Sequence, residues 1–332
     1  MFSGYSDLLG QEPTMRQLVQ SASAGTLHHC VIFEGPPKVG KHTAAVRIAM
    51  AAACVGRGDL RPCGACPFCR QMAKGLHPDL IEVVPDPGRK SGTISVAQAR
   101  ELTRQVRLRP YSARRRTVII DPVDMLVPQA SNALLKTLEE PPEGTGFILV
   151  TARVSSLLPT VLSRSQRVRF RAAPEAELVP FLEARGVEDA RRIARLSMGC
   201  PGRALELGEG GLAELDAVRT RLVELVDGSL RERHAQLDKL SKRKGSKAEV
   251  LALLDALEVL LADASKWACG GRDELVNCDD EELVRRWSEA LWPRGIETLA
   301  LEMDLARQRM EVNVNPRLML ETVLARTARE LR

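Results

Sequence analysis

The chain is poor in aromatic residues and has no long apolar run, no repeat and no low-complexity segment. Only 3% of its 332 residues are Phe, Trp or Tyr, which argues against a single-strand nucleic-acid binder built on stacked bases. Its most apolar stretch, Ala44 to Val55, contains Arg47 and is too short to cross a bilayer. The opening M-F-S-G-Y-S-D-L-L-G lacks the basic and apolar regions of a secretory leader. The expectation is a cytoplasmic protein. In that compartment its eight cysteines serve as metal ligands or free thiols before disulfides.

What is present is enough for two or three domains. Hydrophobic residues make up 44% and charged residues 27%, so the chain can bury cores and remain soluble. A net charge of +5 and a pI near 8.8 are compatible with a nucleic-acid partner without requiring one.

The segment 35–43 reads G-P-P-K-V-G-K-H-T. Gly35, Gly40 and Lys41 fit the G-x-x-x-x-G-K core of a phosphate-binding loop, and Lys41 would reach the β- and γ-phosphates. The next position, where a Ser or Thr hydroxyl holds Mg²⁺, is His42, and Thr43 lies one helical step, about 100°, further round. Val31 to Phe33 reads as a buried strand, and Lys41 to about Cys54 as an Ala-rich helix. Strand, glycine turn and helix are the context this loop needs, and the N–H groups of such a turn make a nest for phosphates.

Further strands are expected at 80–84, 117–121 and 147–151, and helices at 95–108 and 128–140. The alternation implies a mostly parallel α/β sheet. The strand T-V-I-I-D ends at Asp121, suited to Mg²⁺, but the following residue, where an ATPase places a water-orienting Glu, is Pro122. Phosphoryl transfer depends on positioning and charge stabilisation, so losing both groups should abolish hydrolysis at this site. Two readings of the loop stay open: nucleotide binding without turnover, or a relic that binds none. Asp124 is expected to be a structural group on a turn.

Cys54, Cys63, Cys66 and Cys69 form C-x₈-C-x₂-C-x₂-C. Four closely spaced thiolates with no open position suit a structural Zn²⁺. Free thiols or an iron–sulfur cluster are the alternatives, the latter without the usual C-P ending. Cys30, Cys200, Cys269 and Cys278 are scattered and read as ordinary thiols.

Seven arginines and one glutamate lie between Arg100 and Arg116. They could meet phosphates or form a solvated, partly paired face, with aromatic interleaving limited to Tyr111. Beyond Phe170 the pattern turns helical, with short helices over 174–206, a break at Gly199 to Gly202, and the flexible basic connector S-K-R-K-G-S-K at 241–247. Val250 to Leu261 carries an apolar face. The expected organisation is a P-loop domain at 1–170, a small helical lid at 171–207 and an all-α bundle at 208–332.

One block is more specific than any of these. S-N-A-L-L-K-T-L-E-E-P-P (131–142), then F-I-L-V-T-A-R and L-S-R-S ending at Ser165, resembles the AAA+ clamp-loader family of bacterial DNA polymerase III. L-L-G-Q-E (8–12), L-H-H-C-V-I-F-E-G-P (27–36) and N-V-N-P-R-L-M-L-E (313–321) are similar to the same family.

The losses at His42 and Pro122, with Ala152 where the motor subunits keep a sensor Thr, resemble its non-hydrolysing delta-prime branch. The resemblance implies that Arg164, in S-R-S, is an arginine finger completing a neighbour's ATP site. It also implies that Arg203 is a sensor-2 residue beside a vestigial ATP/ADP site, and that the four cysteines hold zinc. Its implied partners are tau/gamma-type ATPase subunits and a delta-type subunit in a hetero-pentamer, with the sliding clamp and primer–template DNA reached through the complex. The isolated chain is expected to be a monomer. The competing readings are an active motor subunit of tau/gamma type and a zinc-dependent DNA-binding module.

Overall fold

The structure is a computed structural model; it describes residues 8–56, 61–86, 88, 92–241, 246–311 and 315–331. By internal packing the chain divides into two units, residues 1–187 with 197–205, and residues 188–196 with 206–332.

The first unit is built on a parallel sheet of five described strands. They are β1 (Cys30–Glu34), β2 (Leu80–Val83), β3 (Arg116–Ile120), β4 (Thr145–Thr151) and β5 (Gln166–Arg169), in spatial order β2-β3-β4-β1-β5. Alternation along each strand sends side chains to two separate cores. Val31 and Phe33 of β1 join Ile119, Ile148 and Val150 on one face; Cys30 and Ile32 join Val118, Ile120, Phe147 and Leu149 on the other. The register Cys30↔Phe147 and Val31↔Ile148 keeps the two sets apart. Burial on both faces is what a parallel sheet requires.

Helices cover both faces. α1 (Glu12–Ala24) and α2 (Lys41–Ala53) supply Met15, Leu18, Ala45 and Ile48 to one core, with α3 (Pro67–Ala73) against α2. α4 (Val96–Val106) and α5 (Pro128–Glu139) supply Leu102, Val106, Leu134 and Leu138 to the other. α4 begins at a capping box, Ser95 with Gln98. α5 begins on Pro128, whose missing N–H would have had no helical partner there. The short α6 (Pro159–Leu162) leads to β5, and α7 (Glu175–Glu183) follows it.

The expected strands and helices are all present within a few residues. Asp121 sits one residue beyond its strand, and β5, α1, α3 and α6 are additional. In β5 only Val168 is buried, so the segment carries no strand signal of its own and is held by pairing with β1 through Phe33↔Val168.

The second unit is all-helical among the described residues, as expected for the C-terminal part. It contains α8 (Ala190–Leu196), and after α9 (Pro201–Glu206) it continues with α10 (Leu212–Asp227), α11 (Leu230–Ser241) and α12 (Ser246–Ala268). α13 (Glu281–Leu291), α14 (Arg294–Glu311) and α15 (Pro316–Glu330) complete it. The apolar face expected at 250–261 is buried along α12, where Leu253, Leu254, Leu257 and Leu260 meet Trp287, Leu299 and Leu324. The centre of the basic connector, 242–245, lies outside the described residues. A buried carboxylate fixes the irregular turn after α12. Asp263 accepts hydrogen bonds from the Val276 and Asn277 N–H groups and from the Asn277 side chain, at 3.0, 2.8 and 2.8 Å.

The arginine-rich segment divides between structure and surface. Asp79, fully buried just before β2, accepts from the N–H groups of Tyr111, Ser112 and Ala113 at 2.7–2.8 Å. Buried Arg116, 3.5 Å from Asp79, donates to the carbonyls of Gln105, Leu108 and Arg109. Arg100, Arg107, Arg109 and Arg114 remain exposed. Burial opposes ionisation of Asp79, but these N–H groups and Arg116 outweigh it and hold the carboxyl below its ordinary value. The carboxylate's contribution is therefore complete above the unfolded carboxyl pKa of about 4 and is lost only as pH falls below it. Asp79→Ala is expected to destabilise the chain by about 3 kcal/mol at neutral pH and far less in acid. Denaturant melts at pH 7 and pH 3 check this, and an equal loss at both would refute the ionised contact.

Candidate functional site

The turn joining β1 to α2 has the geometry of a phosphate nest. Gly35 and Gly40 have φ of +147° and +101°, where a side chain would be strained, and Lys38 between them is at +59°. A Cβ on Gly35 would lie 2.3 Å from the Phe170 carbonyl oxygen, and one on Gly40 2.8 Å from Leu8. Both positions therefore require glycine. Lys41 opens α2 and is buried; its Nζ donates to the Gly35 carbonyl at 2.7 Å and also to that of Pro36. Burial lowers its pKa, against the pull of Asp121.

This turn borders a cavity of about 930 Å³. Lys38, Lys41, His42 and Thr43 line it from the loop and α2, Asp121 and Asp124 from the end of β3, and Thr151 and Arg153 from the end of β4. Phe181, Arg185, Pro201, Gly202 and Leu205 close its far side. Arg203 is half-buried beside them and is not a lining residue, although both Gly202 and Leu205 are.

The two carboxylates in the cavity already have partners. His42 Nδ1 lies 3.0 Å from Asp121 Oδ2, and its Nε2 lies 3.9 Å from Glu82 of β2. The hydrogen bond to Asp121 raises the His42 pKa, burial opposing it. Asp124 accepts from the Thr151 hydroxyl at 2.8 Å and pairs with Arg153 at 3.3 Å. The loop thus suits phosphate, but the residues do not fit Mg²⁺. The hydroxyl position holds an imidazole, and that imidazole occupies the carboxylate that would help hold the ion. Pro122 lines the cavity without a group able to orient water.

Sequence reasoning missed Glu82 and the Thr151–Asp124–Arg153 contacts. Asp124 was legible as structural, but its partner lies 27 residues away, and nothing short of the sheet order brings β4 to it.

Arg164 is elsewhere. It follows α6, is half-exposed, and contacts the Thr160 carbonyl at 3.1 Å and Glu139 at 3.3 Å. It borders a separate cavity with His28, His29 and Glu139.

The cysteines converge as their spacing suggested. The sulfurs of Cys54, Cys63, Cys66 and Cys69 all lie within 4.8 Å of one another and could hold a metal ion. Bonds of about 2.3 Å to a tetrahedral ion span such a set after slight contraction. Backbone N–H groups point at the sulfurs, from Gly56 to Cys54, Cys66 to Cys63 and Cys69 to Cys66 at 3.3–3.4 Å. The Cys66 and Ala65 N–H groups lower the Cys63 thiol to about 6, while burial pushes Cys69 up. A Cβ at Gly56 would lie 2.8 Å from Cys63 Sγ, so the turn closes on the sulfurs only with glycine. Among the other thiols, Cys30 and Cys200 are buried and Cys269 and Cys278 exposed.

Together these features define an α/β P-loop domain with an imidazole at the usual metal-binding hydroxyl position, and the comparisons give the family. A family model for "DNA polymerase III, delta subunit" matches residues 10–174, and one for that subunit's C-terminal part matches residues 227–328. The chain belongs to this DNA polymerase III family.

Subunit delta' of Escherichia coli DNA polymerase III is 34% identical over 201 residues, covering 60% of each chain. The tau subunit of the same organism is 33% identical over 235 residues, covering 68% of this chain and 36% of tau. The chain thus spans about a third of the one relative's length and less than two thirds of the other's. A gamma subunit-related protein from Thermotoga maritima shares the fold, with a TM-score of 0.51 and 21% identity over 96% of this chain and 99% of that one.

If the four cysteines form a zinc site, the purified chain carries about one equivalent of Zn²⁺. Cys66→Ala then removes the metal and lowers Tm by about 5 °C or more. Because thiolates are the ligands, retention also weakens as pH falls. Elemental analysis finding iron, or no metal in freshly purified protein, would count against zinc.

Proposed function

We propose that this chain is a clamp-loader subunit of DNA polymerase III of the delta-prime type, acting in DNA replication. It hydrolyses no nucleotide itself and completes the ATP site of a neighbouring tau/gamma-type subunit. The observation that carries this reading is the pairing of His42 with Asp121 at 3.0 Å, in a cavity that also has Pro122 in place of a base. A site so altered has lost both the grip on Mg²⁺ and the group that orients water.

Arg164 is the residue offered to the neighbour. It is half-exposed and lies outside the lining of this chain's P-loop cavity, which favours a role in trans. Its contact with Glu139 is a surface pair worth about 1 kcal/mol or less, so releasing it towards a partner's phosphates costs little. Arg203, half-buried next to lining residues, would act as a remnant sensor at the edge of the cavity.

The three-part organisation that goes with this reading has a P-loop domain at 1–170, a lid at 171–207 and a collar at 208–332. The collar would join this chain to motor and delta-type subunits in a hetero-pentamer, which in turn meets the sliding clamp and primed DNA. The cysteine cluster would hold structural zinc.

The alternative, an active motor of tau/gamma type, draws on the similarity to tau; Pro122 argues against it.

The test is the DNA- and clamp-stimulated ATPase of the reconstituted complex, with wild-type chain and with Arg164→Ala. A finger in trans predicts a fall of about 10³ or more with assembly intact. Unchanged turnover sinks the finger role, and turnover by the isolated wild-type chain favours the motor reading.

A further inference from the structure

The cysteine cluster and the arginine-rich turn lie apart in the sequence, and a continuous chain of contacts joins them. Two of the four sulfurs belong to α3: Cys66 caps its first turn, accepting from the Cys69 N–H, and Cys69 is buried within it. α3 has only seven residues, too few to be stable alone. An ion bound by all four sulfurs would fasten it to Cys54 at the end of α2. The other end of α3 closes in a backbone motif that leads straight to His77. Gly75, at φ +65°, donates to the Met72 carbonyl at 3.0 Å, and Leu76 to that of Gln71 at 2.9 Å.

His77 is the junction. The ring of Phe68, which lies between the two α3 cysteines, packs on its imidazole with centroids 5.1 Å apart. His77 is buried, and burial lowers its pKa, so the ring is neutral. Its Nδ1 accepts from the Asp79 N–H at 3.0 Å, which leaves the proton on Nε2, facing the Ser112 hydroxyl at 3.5 Å. Asp79 in turn holds the N–H groups of 111–113, and Arg116 holds the carbonyls of Gln105, Leu108 and Arg109. The turn 107–114 is thereby tied down from beneath.

Outward it presents side chains of one sign. Of the arginines in this segment, Arg104 pairs with Glu101, and Arg115 and Arg116 donate to backbone carbonyls. Arg100, Arg107, Arg109 and Arg114 are exposed and have no partner among the described residues; Leu108 and Tyr111, between them in sequence, are exposed too. Crowded like charges repel, so a turn of this composition keeps one shape only if something holds it.

We infer that the cysteine module is that brace: with its metal bound it fixes α3, so that Phe68 and His77 keep Asp79 under the turn and the arginines in place. The inference rests on the reading of the four cysteines as a zinc site. Phe68 and His77 are its positioning residues.

Hydrogen exchange of the full chain, zinc-loaded and after removal of the metal with a chelator, tests it. The amides of Tyr111, Ser112 and Ala113 read the turn, and those of β1 and β4 read the rest of the domain. Without metal the turn is expected to exchange about tenfold faster or more, while β1 and β4 keep their protection. Phe68→Leu, which keeps the metal and an apolar side chain but loses the ring, is expected to speed the same amides about threefold. Phe68→Tyr, which keeps the ring, exchanges as wild type.

Unchanged exchange at 111–113 after metal removal overturns the inference, as does wild-type exchange in zinc-loaded Phe68→Leu. If the whole unit loses protection without metal, Phe68→Leu alone decides. A chain that carries no zinc overturns the zinc reading and this inference together, whereas a zinc-loaded chain that fails these tests overturns the inference alone.

Discussion

Parallel pairing of β1, β3 and β4 is the constraint from which the rest follows. It aligns the C-terminal ends of the three strands on one edge, so that the glycine turn after Glu34, the Asp121–Asp124 segment and the Thr151–Arg153 segment face a common cavity. The register is fixed by burial on both faces. A slip of one residue would exchange the apolar sets centred on Phe33 and Ile32 and expose each to the wrong core. Everything at the site, including the encounter of His42 with Asp121 across 79 residues of sequence, depends on that alignment.

Within this frame the cavity combines a phosphate-suited turn with carboxylates that are already engaged. The glycines at positive φ and the buried lysine are present, and they are the elements suited to phosphate. The groups that would recruit a cation and a water are replaced or engaged. On the proposed reading, the exposed Arg164 at the end of α6 is the group the chain would present to a neighbour.

Much of this was legible in the sequence. The loop 35–43 announces itself because its glycines and lysine act through backbone geometry that few other residues allow. The four cysteines do so because thiols at such short spacing, with glycines and prolines between them, can be drawn together by local turns alone. The sheet was readable wherever a strand is buried on both faces, as in V-I-F or V-I-I. It was silent at Gln166–Arg169, where pairing with β1 supplies the order and three of four side chains are exposed. Equally silent were contacts that close over long separations. Asp79 gives no hint that it organises 111–113, nor Glu82 that it approaches His42. An isolated acid looks the same in sequence whether it is solvated or buried against three N–H groups.

The engagement of both cavity carboxylates has a consequence for how such a site could change over time. If the chain is non-hydrolysing as proposed, hydrolysis would take a hydroxyl at 42, a carboxylate at 122 and a polar sensor at 152. Each alone brings little, because the others are still missing. A carboxylate added at 122 would stand beside Asp121 and Asp124 with no ion to offset the repulsion, and is disfavoured until position 42 has changed. On that reading the changes depend on one another, so no single substitution at 42, 122 or 152 is expected to confer turnover.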